Sequence, residues 1–389
     1  MKVVLGKRGV KRLLDRHLWV WRGDVAAMPQ KAGIYPVYGE RGLLAWALVN
    51  PASLISVRVF HFGHSEDPLA QLWRNLENAW ELRRRYYSAH PEGGVRLVHA
   101  EGDLLPGLVV DSYARHLVLQ AHAAAWEPLL PELARRLQDL SGAKSVIARH
   151  DSPLRLKEGL PRYVRVLSGE AAETAVLREG EVRYRVALLT GQKTGAFLDQ
   201  RDNRLLLAKY AHDKSYQRAL DVFAYQGLFA LQLASRLQEV EVVDSSAEAL
   251  RAAADNAALN NVENVSFNQA NAFELLRQRE REGEKYDVIV LDPPALAARK
   301  SDRERAAAAY KEINLRALKL LKRGGLLASA SCSHHLPEED FYRILAAAAA
   351  DSHRLLRVLE RRGQGWDHPT LLTVPETRYL KFALLEVVE

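Results

Sequence analysis

Short apolar runs separated by helical stretches fill the last part of the chain. The five clearest runs are RALDVFAY, VEVVDSS, NVSFNQA, YDVIVLDPP and GLLASASCS. Strand and helix that alternate five times predict a parallel sheet covered by helices on both faces. The last two runs, HRLLRVLE and RYLKFALLEVV, have no good helix between them. They predict an antiparallel hairpin at one edge of this sheet.

The first part of the chain has different patterns. Up to about residue 66, short β-type runs such as GIYPVYG and LLAWALV alternate with Gly, Pro and Asn breaks, which is typical of a small β domain. Residues 68–90 have apolar positions at helical spacing, and strand-like and helix-like segments then mix. We predict three domains: a β domain over 1–66, an α+β middle domain over 67–185 and an α/β domain over 186–389.

Composition agrees with a multidomain, self-folding protein. The 389 residues exceed the roughly 100–200 residues of one domain, and 48% are hydrophobic and 26% charged. One cysteine forms no intrachain disulfide, and the first residues lack the apolar segment of a secretory signal, so we expect a cytoplasmic protein. No apolar run approaches the roughly 20 residues of a membrane span. The net charge of +7 favours an anionic partner such as nucleic acid.

Polar residues follow the predicted strands, where open α/β sheets bind their ligands. Asp221 ends the first strand and Gly227 permits a tight turn to the next helix, but a phosphate-binding GxGxxG is absent. Asp244 follows 23 positions after Asp221, near the roughly 20-residue spacing of a ribose-binding acid. Asn271 could pair with an adenine edge. An adenosine ligand without a pyrophosphate is predicted, although helix capping would also explain either aspartate.

Two further loops stand at the ends of the fourth and fifth strands. Asp292 begins Asp-Pro-Pro, in which two prolines make the backbone rigid. Cys332, the only cysteine, lies in SCSHH after the fifth strand. We expect Asp292 and Cys332 to face each other across neighbouring strand ends. A plain turn and a small buried thiol are the structural alternatives.

Several motifs together resemble the PUA-domain methyltransferases that make 5-methylcytidine in large-subunit 23S ribosomal RNA. The motifs are RLLDRHLWVWRGDV, NPASLISVRVF, EGDLLPGLVVD, GQKTGAFLDQRDNR, ALDVFAYQG, LDPPAL and SCSHH. The similarity covers nearly the whole chain, although Asn271 stands where the family has an acidic residue. It implies a PUA-like RNA-binding domain over 1–66 and a class I methyltransferase domain, Rossmann-like with a mostly parallel seven-stranded sheet, over 186–389.

The resemblance also implies a chemistry for the lone thiol. C5 of cytosine is a poor nucleophile, so such enzymes add a cysteine thiolate to C6 and make C5 reactive. Cys332 would be that nucleophile and Asp292 would hydrogen-bond or protonate the base near N3. The base that removes the C5 proton is not identified by the sequence.

The remaining assignments concern cofactor and RNA. The cofactor would be S-adenosylmethionine, with no metal, and its contacts would be Asp221, Phe223, Tyr225, Gly227, Asp244, Asn271, Asp292 and Phe197. Candidate RNA contacts are Lys7, Arg8, Lys11, Arg12, Lys193, Arg201, Arg299 and Lys300. A solvated surface explains such charge runs equally well. The partner would be large-subunit ribosomal RNA or a ribosomal particle, with no membrane, and a homodimer stays open.

Two other functions remain open at this point. An RNA guanine or adenine N-methyltransferase also uses a DPP-type loop, but such sites usually place an aromatic after the prolines, and Leu296 is not aromatic. A non-catalytic ribosome-assembly factor would retain the fold for binding alone. The identity of a methylated nucleoside, or its absence, distinguishes the three.

Overall fold

The computed structural model describes residues 1–190, 195–212, 214–297 and 299–389. These residues form two compact units. The first comprises Met1–Arg178, Arg185–Leu198 and Trp366–Thr377, and the second comprises Glu179–Tyr184, Asp199–Gly365 and Arg378–Glu389. The three-domain boundaries expected from the sequence stay predictions. Among the helices that the structure describes, none has the length and apolarity needed to cross a bilayer.

The first unit begins with a six-stranded sheet. Its elements are β1 (Val3–Leu5), α1 (Lys7–Leu14), β2 (Trp19–Val20), β3 (Val25–Ala27), β4 (Gly33–Gly39), β5 (Gly42–Val49) and β6 (Val57–Phe62). The strands lie in the order β2-β6-β5-β4-β1-β3. Val37, Ala47 and Val59 are fully buried in a common apolar core, which accounts for the β-type runs of the sequence.

A second sheet and its helices complete the first unit. They are α2 (Pro68–Ala89), β7 (Gly94–His99), β8 (Leu108–Tyr113), β9 (His116–Ala121), α3 (Leu130–Ser141), β10 (Ser145–His150), α4 (Leu154–Lys157) and β11 (Tyr163–Gly169). The strand order is β11-β10-β9-β8-β7. Asp67 caps α2 by accepting a hydrogen bond from the Ala70 amide, and Pro68 occupies its first turn. Leu72, Leu76 and Ala79 are buried, which is the helix face that the spacing predicts.

A buried carboxylate joins the two sheets of the first unit. Glu158 is 6% exposed, and its oxygens accept hydrogen bonds from Asn50 (2.9 Å), Ser53 (2.5 Å) and Arg58 (3.0 Å). These three donors come from the first sheet region, whereas Glu158 follows α4. Because a buried charge needs such partners, the two parts of the unit are held in one arrangement.

The second unit contains the sheet that the alternating pattern predicts. It is preceded along the chain by a two-stranded sheet of β12 (Thr174–Glu179) and β13 (Val182–Ala187), whose residues are divided between the two units. The elements that follow are α5 (Arg201–His212), β14 (Arg218–Val222), α6 (Leu228–Ala234), β15 (Glu239–Asp244), α7 (Ala247–Leu259), β16 (Val265–Gln269), α8 (Ala272–Glu282), β17 (Tyr286–Leu291), α9 (Arg303–Leu320), β18 (Leu321–Ser331), α10 (Glu338–Asp351), β19 (Leu356–Arg362) and β20 (Lys381–Val387). The seven strands lie in the order β16-β15-β14-β17-β18-β20-β19.

Strand direction confirms the predicted class I arrangement. β14 to β18 pair in parallel, and β20 pairs antiparallel with both β18 and β19. Leu220 and Leu291 pack into the apolar core on one face of the sheet, while Ala219 and Val290 pack into the core on the other. Both faces are covered, so the carboxyl ends of the parallel strands provide the place for a ligand.

We predict that Glu158→Gln lowers the free energy of unfolding by about 3 kcal/mol, because Arg58 loses the nearer of its two buried carboxylate partners, the other being Glu101 at 3.5 Å. Urea unfolding followed by tryptophan fluorescence measures the change. Glu170→Gln, at an exposed position, is the matched control. A loss for Glu158→Gln no larger than that of the control would contradict the assigned role.

Candidate active site

Asp221 lies at the end of β14 and is only 1% exposed. Its Oδ2 accepts a hydrogen bond from the Ala230 amide in the first turn of α6 (3.0 Å), although Gly227 is the N-cap residue of that helix. Its Oδ1 has no hydrogen-bond partner among the described residues. Burial, helped by the nearby Asp292 and Asp244 carboxylates, raises the pKa of Asp221 to about 8. Three carboxyl groups from three strand ends therefore share one electrostatic environment.

The loop after β14 has an unusual left-handed backbone. Phe223 and Tyr225 have positive φ angles of 64° and 49°, and Gly227 has 70° at the start of α6. Left-handed conformations of bulky residues are uncommon and tend to occur at functional loops. A Cβ added to Gly227 would lie 3.1 Å from the Cβ of Ala253, so this turn also packs closely against α7.

Asp244, at the end of β15, fixes this loop. Its Oδ2 accepts a hydrogen bond from the Tyr225 amide and its Oδ1 accepts one from the Ser246 amide, each at 2.9 Å. The side chain remains half-buried, and each carboxylate oxygen retains a further lone pair. The position therefore suits the ribose contact that the sequence predicts, which stays a prediction.

Asn271 precedes α8 and caps it. Its Oδ1 accepts hydrogen bonds from the amides of Phe273 (3.0 Å) and Glu274 (3.3 Å). Because Oδ1 is used for capping, the predicted contact with adenine would have to come from Nδ2 of Asn271. This contact stays a prediction. Phe273, which the sequence reasoning did not single out, meets Phe223 edge to face with ring centres 6.5 Å apart.

A chain of buried amides orients Asp292. Gln200 donates to Asp292 Oδ1 (3.0 Å), and its own Oε1 accepts from Asn203 (2.7 Å). Gln200 and Asn203 are 2% and 1% exposed, and Arg362 donates to Asn203 Oδ1 (3.1 Å). The sequence reasoning quoted the motif that contains Gln200 and Asn203 but assigned neither a role.

Cys332 lies against the Asp-Pro-Pro loop. Its thiol is half-buried, and Sγ is 3.8 Å from the carbonyl oxygen of Pro293. The contact follows from the pairing of β17 with β18, in which Leu291 and Ser329 are register partners. The thiol is thus neither sealed in the core nor isolated on the surface.

Hydroxyl groups join the same two loops. Ser333 Oγ accepts a hydrogen bond from the Ala297 amide (3.1 Å) and lies 3.0 Å from the hydroxyl of Tyr310. Ser331 donates to that Tyr310 hydroxyl (2.9 Å). Tyr310 and both serines are buried, so this network fixes the residues on either side of Cys332. The sequence reasoning missed Tyr310, which lies in an alanine-rich helix without a recognisable motif.

The predicted RNA contacts on α1 have different surroundings. Lys7 and Lys11 are exposed. Arg8 forms a surface ion pair with Asp24 at 2.8 Å. Arg12 is half-buried and donates to the carbonyl oxygen of Trp19 (3.0 Å), which gives it a structural role in the first unit. All four RNA assignments stay predictions.

The other predicted contacts are scattered. Arg201 is buried and donates to Asp202 (3.1 Å), which does not suit direct contact with RNA. Arg299 is exposed, and Lys300 begins a short 3-10 turn. Phe197, predicted at the cofactor, is half-buried in the first unit. Lys193 lies outside the described residues.

Comparison with known proteins agrees with the fold. The profile of a methyltransferase-domain family matches residues 213–363, and that of a PUA-like domain matches residues 3–62. A Streptococcus mutans structure assigned to the SAM-dependent methyltransferases aligns over 100% of both chains with a TM-score of 0.84. At 17% identity, this likeness shows the fold alone.

The fold and the profiles define an S-adenosylmethionine-dependent methyltransferase with a PUA-like domain. The chain is 36% identical to "Ribosomal RNA large subunit methyltransferase I" of Shigella boydii over 390 residues, covering 98% of each chain. It is 37% identical to the protein of that name from Tolumonas auensis, covering 99% of each. The chain therefore belongs to the ribosomal RNA large subunit methyltransferase I family, as the sequence motifs predict.

The strand-end residues fit S-adenosylmethionine. The buried Asp221 oxygen that has no partner among the described residues, the left-handed loop from Phe223 to Gly227 and the half-buried Asp244 carboxylate would supply polar contacts for an adenosyl amino acid. Among the described residues, no cluster of histidine, cysteine and carboxylate side chains suits a metal ion.

The raised pKa of Asp221 predicts a pH effect on stability. The folded carboxyl binds a proton up to about pH 8, whereas the unfolded one ionises near its usual value, so its contribution to stability falls as pH rises between these values. Asp221→Asn should therefore gain stability relative to the wild type as pH rises from 5 to 8. Urea unfolding at both pH values measures this difference, with the exposed Asp255→Asn as control. Parallel pH profiles for wild type and Asp221→Asn would contradict the burial effect.

Proposed function

We propose that the protein methylates C5 of a cytidine in large-subunit 23S ribosomal RNA through a covalent adduct of Cys332. The observation that carries the proposal is the half-buried thiol at the end of β18, in contact with the Asp-Pro-Pro loop. The family relatives act on large-subunit ribosomal RNA by name, which supports the substrate class. Methylation of a base nitrogen would need no covalent adduct, because the nitrogen already has a lone pair, so it would give Cys332 no role.

S-adenosylmethionine would be held by Asp221, the Phe223 to Gly227 loop and Asp244, and would supply a methyl group on a positively charged sulfur. Cys332 adds as a thiolate to C6 of the base, and the electron pair of the C5–C6 double bond moves to C5. C5 is then nucleophilic enough to take the methyl group: a C5–carbon bond would form as the methyl–sulfur bond breaks, and the electron pair of that bond would stay on the sulfur. Transfer of the C5 proton to a base would then restore the C5–C6 double bond and break the Sγ–C6 bond, which returns the thiolate.

Asp292 would be the group that assists this addition. Asp292 follows β17 and Cys332 follows the neighbouring strand β18. Gln200 donates a hydrogen bond to the Asp292 carboxylate. A hydrogen bond from Asp292 to the pyrimidine near N3 would draw electrons from C6 and assist attack by the thiolate. Gln200 and Asn203 would fix the carboxyl group in that orientation.

RNA must present the base outside its stack, because a thiolate and a methyl donor need access to the ring from opposite faces. The PUA-like sheet, with the exposed Lys7 and Lys11 on α1, would hold the RNA backbone. A ribosomal RNA substrate also agrees with the cytoplasmic location expected from the sequence.

We predict that Cys332→Ala abolishes methyl transfer, by on the order of a thousandfold or more, and leaves cofactor binding unchanged. Unmethylated ribosomal RNA is incubated with cofactor labelled in the methyl group and digested to nucleosides, and calorimetry gives the cofactor affinity. Wild type should yield labelled 5-methylcytidine. Labelled methylguanosine or methyladenosine, or full activity of Cys332→Ala, would contradict the proposal, and no transfer at all by wild type would favour a binding role.

A further inference from the structure

Lys381 is a buried lysine beside the proposed nucleophile. It begins β20, whose sequence KFALLEV is otherwise apolar up to its glutamate, and it is 5% exposed. In the antiparallel pairing of β20 with β18, Lys381 is the register partner of Ser331. Cys332 is the next residue along the chain. Burial of an ammonium group is costly, so its local partners are informative.

The partners of the ammonium group are neutral oxygens. Lys381 Nζ donates to the carbonyl oxygens of Ser333 (2.6 Å) and Tyr379 (2.8 Å). In the part of the chain that the structure describes, Lys381 forms no salt bridge with a carboxylate. Two of its three hydrogens are accounted for by these carbonyl groups.

The charges that face Lys381 come from three segments. Cys332 follows β18, Glu338 begins α10, and Arg378 precedes β20. Glu338 is already paired with Arg378 at 2.6 Å. Burial lowers the pKa of Lys381 to about 8, and the electrostatic influence that most opposes this is that of Cys332. A thiolate at Cys332 would therefore help to balance the buried ammonium group.

We propose that Lys381 is a positioning residue that anchors the loop of Cys332 through the Ser333 carbonyl group and stabilises the Cys332 thiolate with its positive charge. This inference rests on the proposed function of Cys332. The positive charge of Lys381 would increase the fraction of Cys332 that is ionised at neutral pH, since a nearby cation favours the thiolate form of a thiol.

The two sides of the loop have complementary supports. Tyr310 and the Ala297 amide hold the Ser333 hydroxyl group, and Lys381 holds the Ser333 carbonyl group. Ser333 is fully buried. A residue gripped at both its side chain and its backbone leaves little freedom for the preceding Cys332, so the thiol would meet the base in one orientation.

The single cysteine of the chain allows a direct test. Iodoacetamide alkylation of the full-length protein, measured by mass spectrometry across pH 5 to 10, gives the pH midpoint at which the thiolate forms. For Lys381→Met the midpoint should rise by roughly one unit and alkylation at pH 7 should slow roughly tenfold. Lys381→Arg should keep the wild-type midpoint, and the exposed Lys209→Met is the matched control.

Activity provides the second readout. Lys381→Met should lower kcat with little change in the KM for RNA, and raising the pH should restore part of the loss because more thiolate forms. An unchanged alkylation midpoint in Lys381→Met would overturn the proposal. If Lys381→Met does not fold, the wild type decides: a midpoint at or above the roughly 8.5 of a free thiol would also overturn it. A shifted midpoint in a protein without transferase activity would support the role of Lys381 and refute the proposed function alone.

Discussion

The parallel pairing of β17 with β18 is the constraint on which the site depends. Two neighbouring parallel strands end at the same edge of the sheet, so the residues that follow them must meet. Here those residues are the rigid Asp-Pro-Pro segment and the loop of Cys332, in contact through Sγ and the Pro293 carbonyl group. The fully buried strand β17 fixes this edge, because its side chains pack into cores on both faces.

Burial gives the charged groups of the site their chemical character. Asp221 is driven towards its neutral form, and Lys381 loses part of its usual basicity, because each is removed from water. The groups at the rim, such as Asp244, stay half-buried and hold backbone amides. The strand ends thus combine fully buried charged groups with half-buried ones.

The sheet was predictable from the sequence because its pattern is local. Apolar runs and helical spacings predicted β14 to β18, and the absence of a helical pattern before β20 predicted the antiparallel edge of the sheet. The strand-end positions of Asp221, Asp244, Asp292 and Cys332 followed from the same pattern. The seven-stranded class I fold is confirmed, and the family resemblance is confirmed by relatives that span nearly the whole chain.

What the sequence did not reveal depends on contacts between distant segments. Gln200 reaches Asp292 across 92 positions, and Lys381 reaches Ser333 across 48. From the sequence alone, Lys381 at the start of an apolar strand is expected to be exposed at the edge of the sheet. Only the pairing of β20 with β18 shows that it is buried. The assignment of Trp366–Thr377 to the first unit, between two strands of the second, likewise has no local signal.

Covalent trapping tests the central claim most directly, since it observes the Sγ–C6 bond itself. Ribosomal RNA that contains 5-fluorocytidine cannot lose a proton from C5, so an adduct formed on it should persist. After incubation with S-adenosylmethionine and protease digestion, mass spectrometry should find an RNA fragment attached to the peptide that contains Cys332. An adduct on another residue, or methylation of natural RNA with no trapped complex from the fluorinated RNA, would contradict the account.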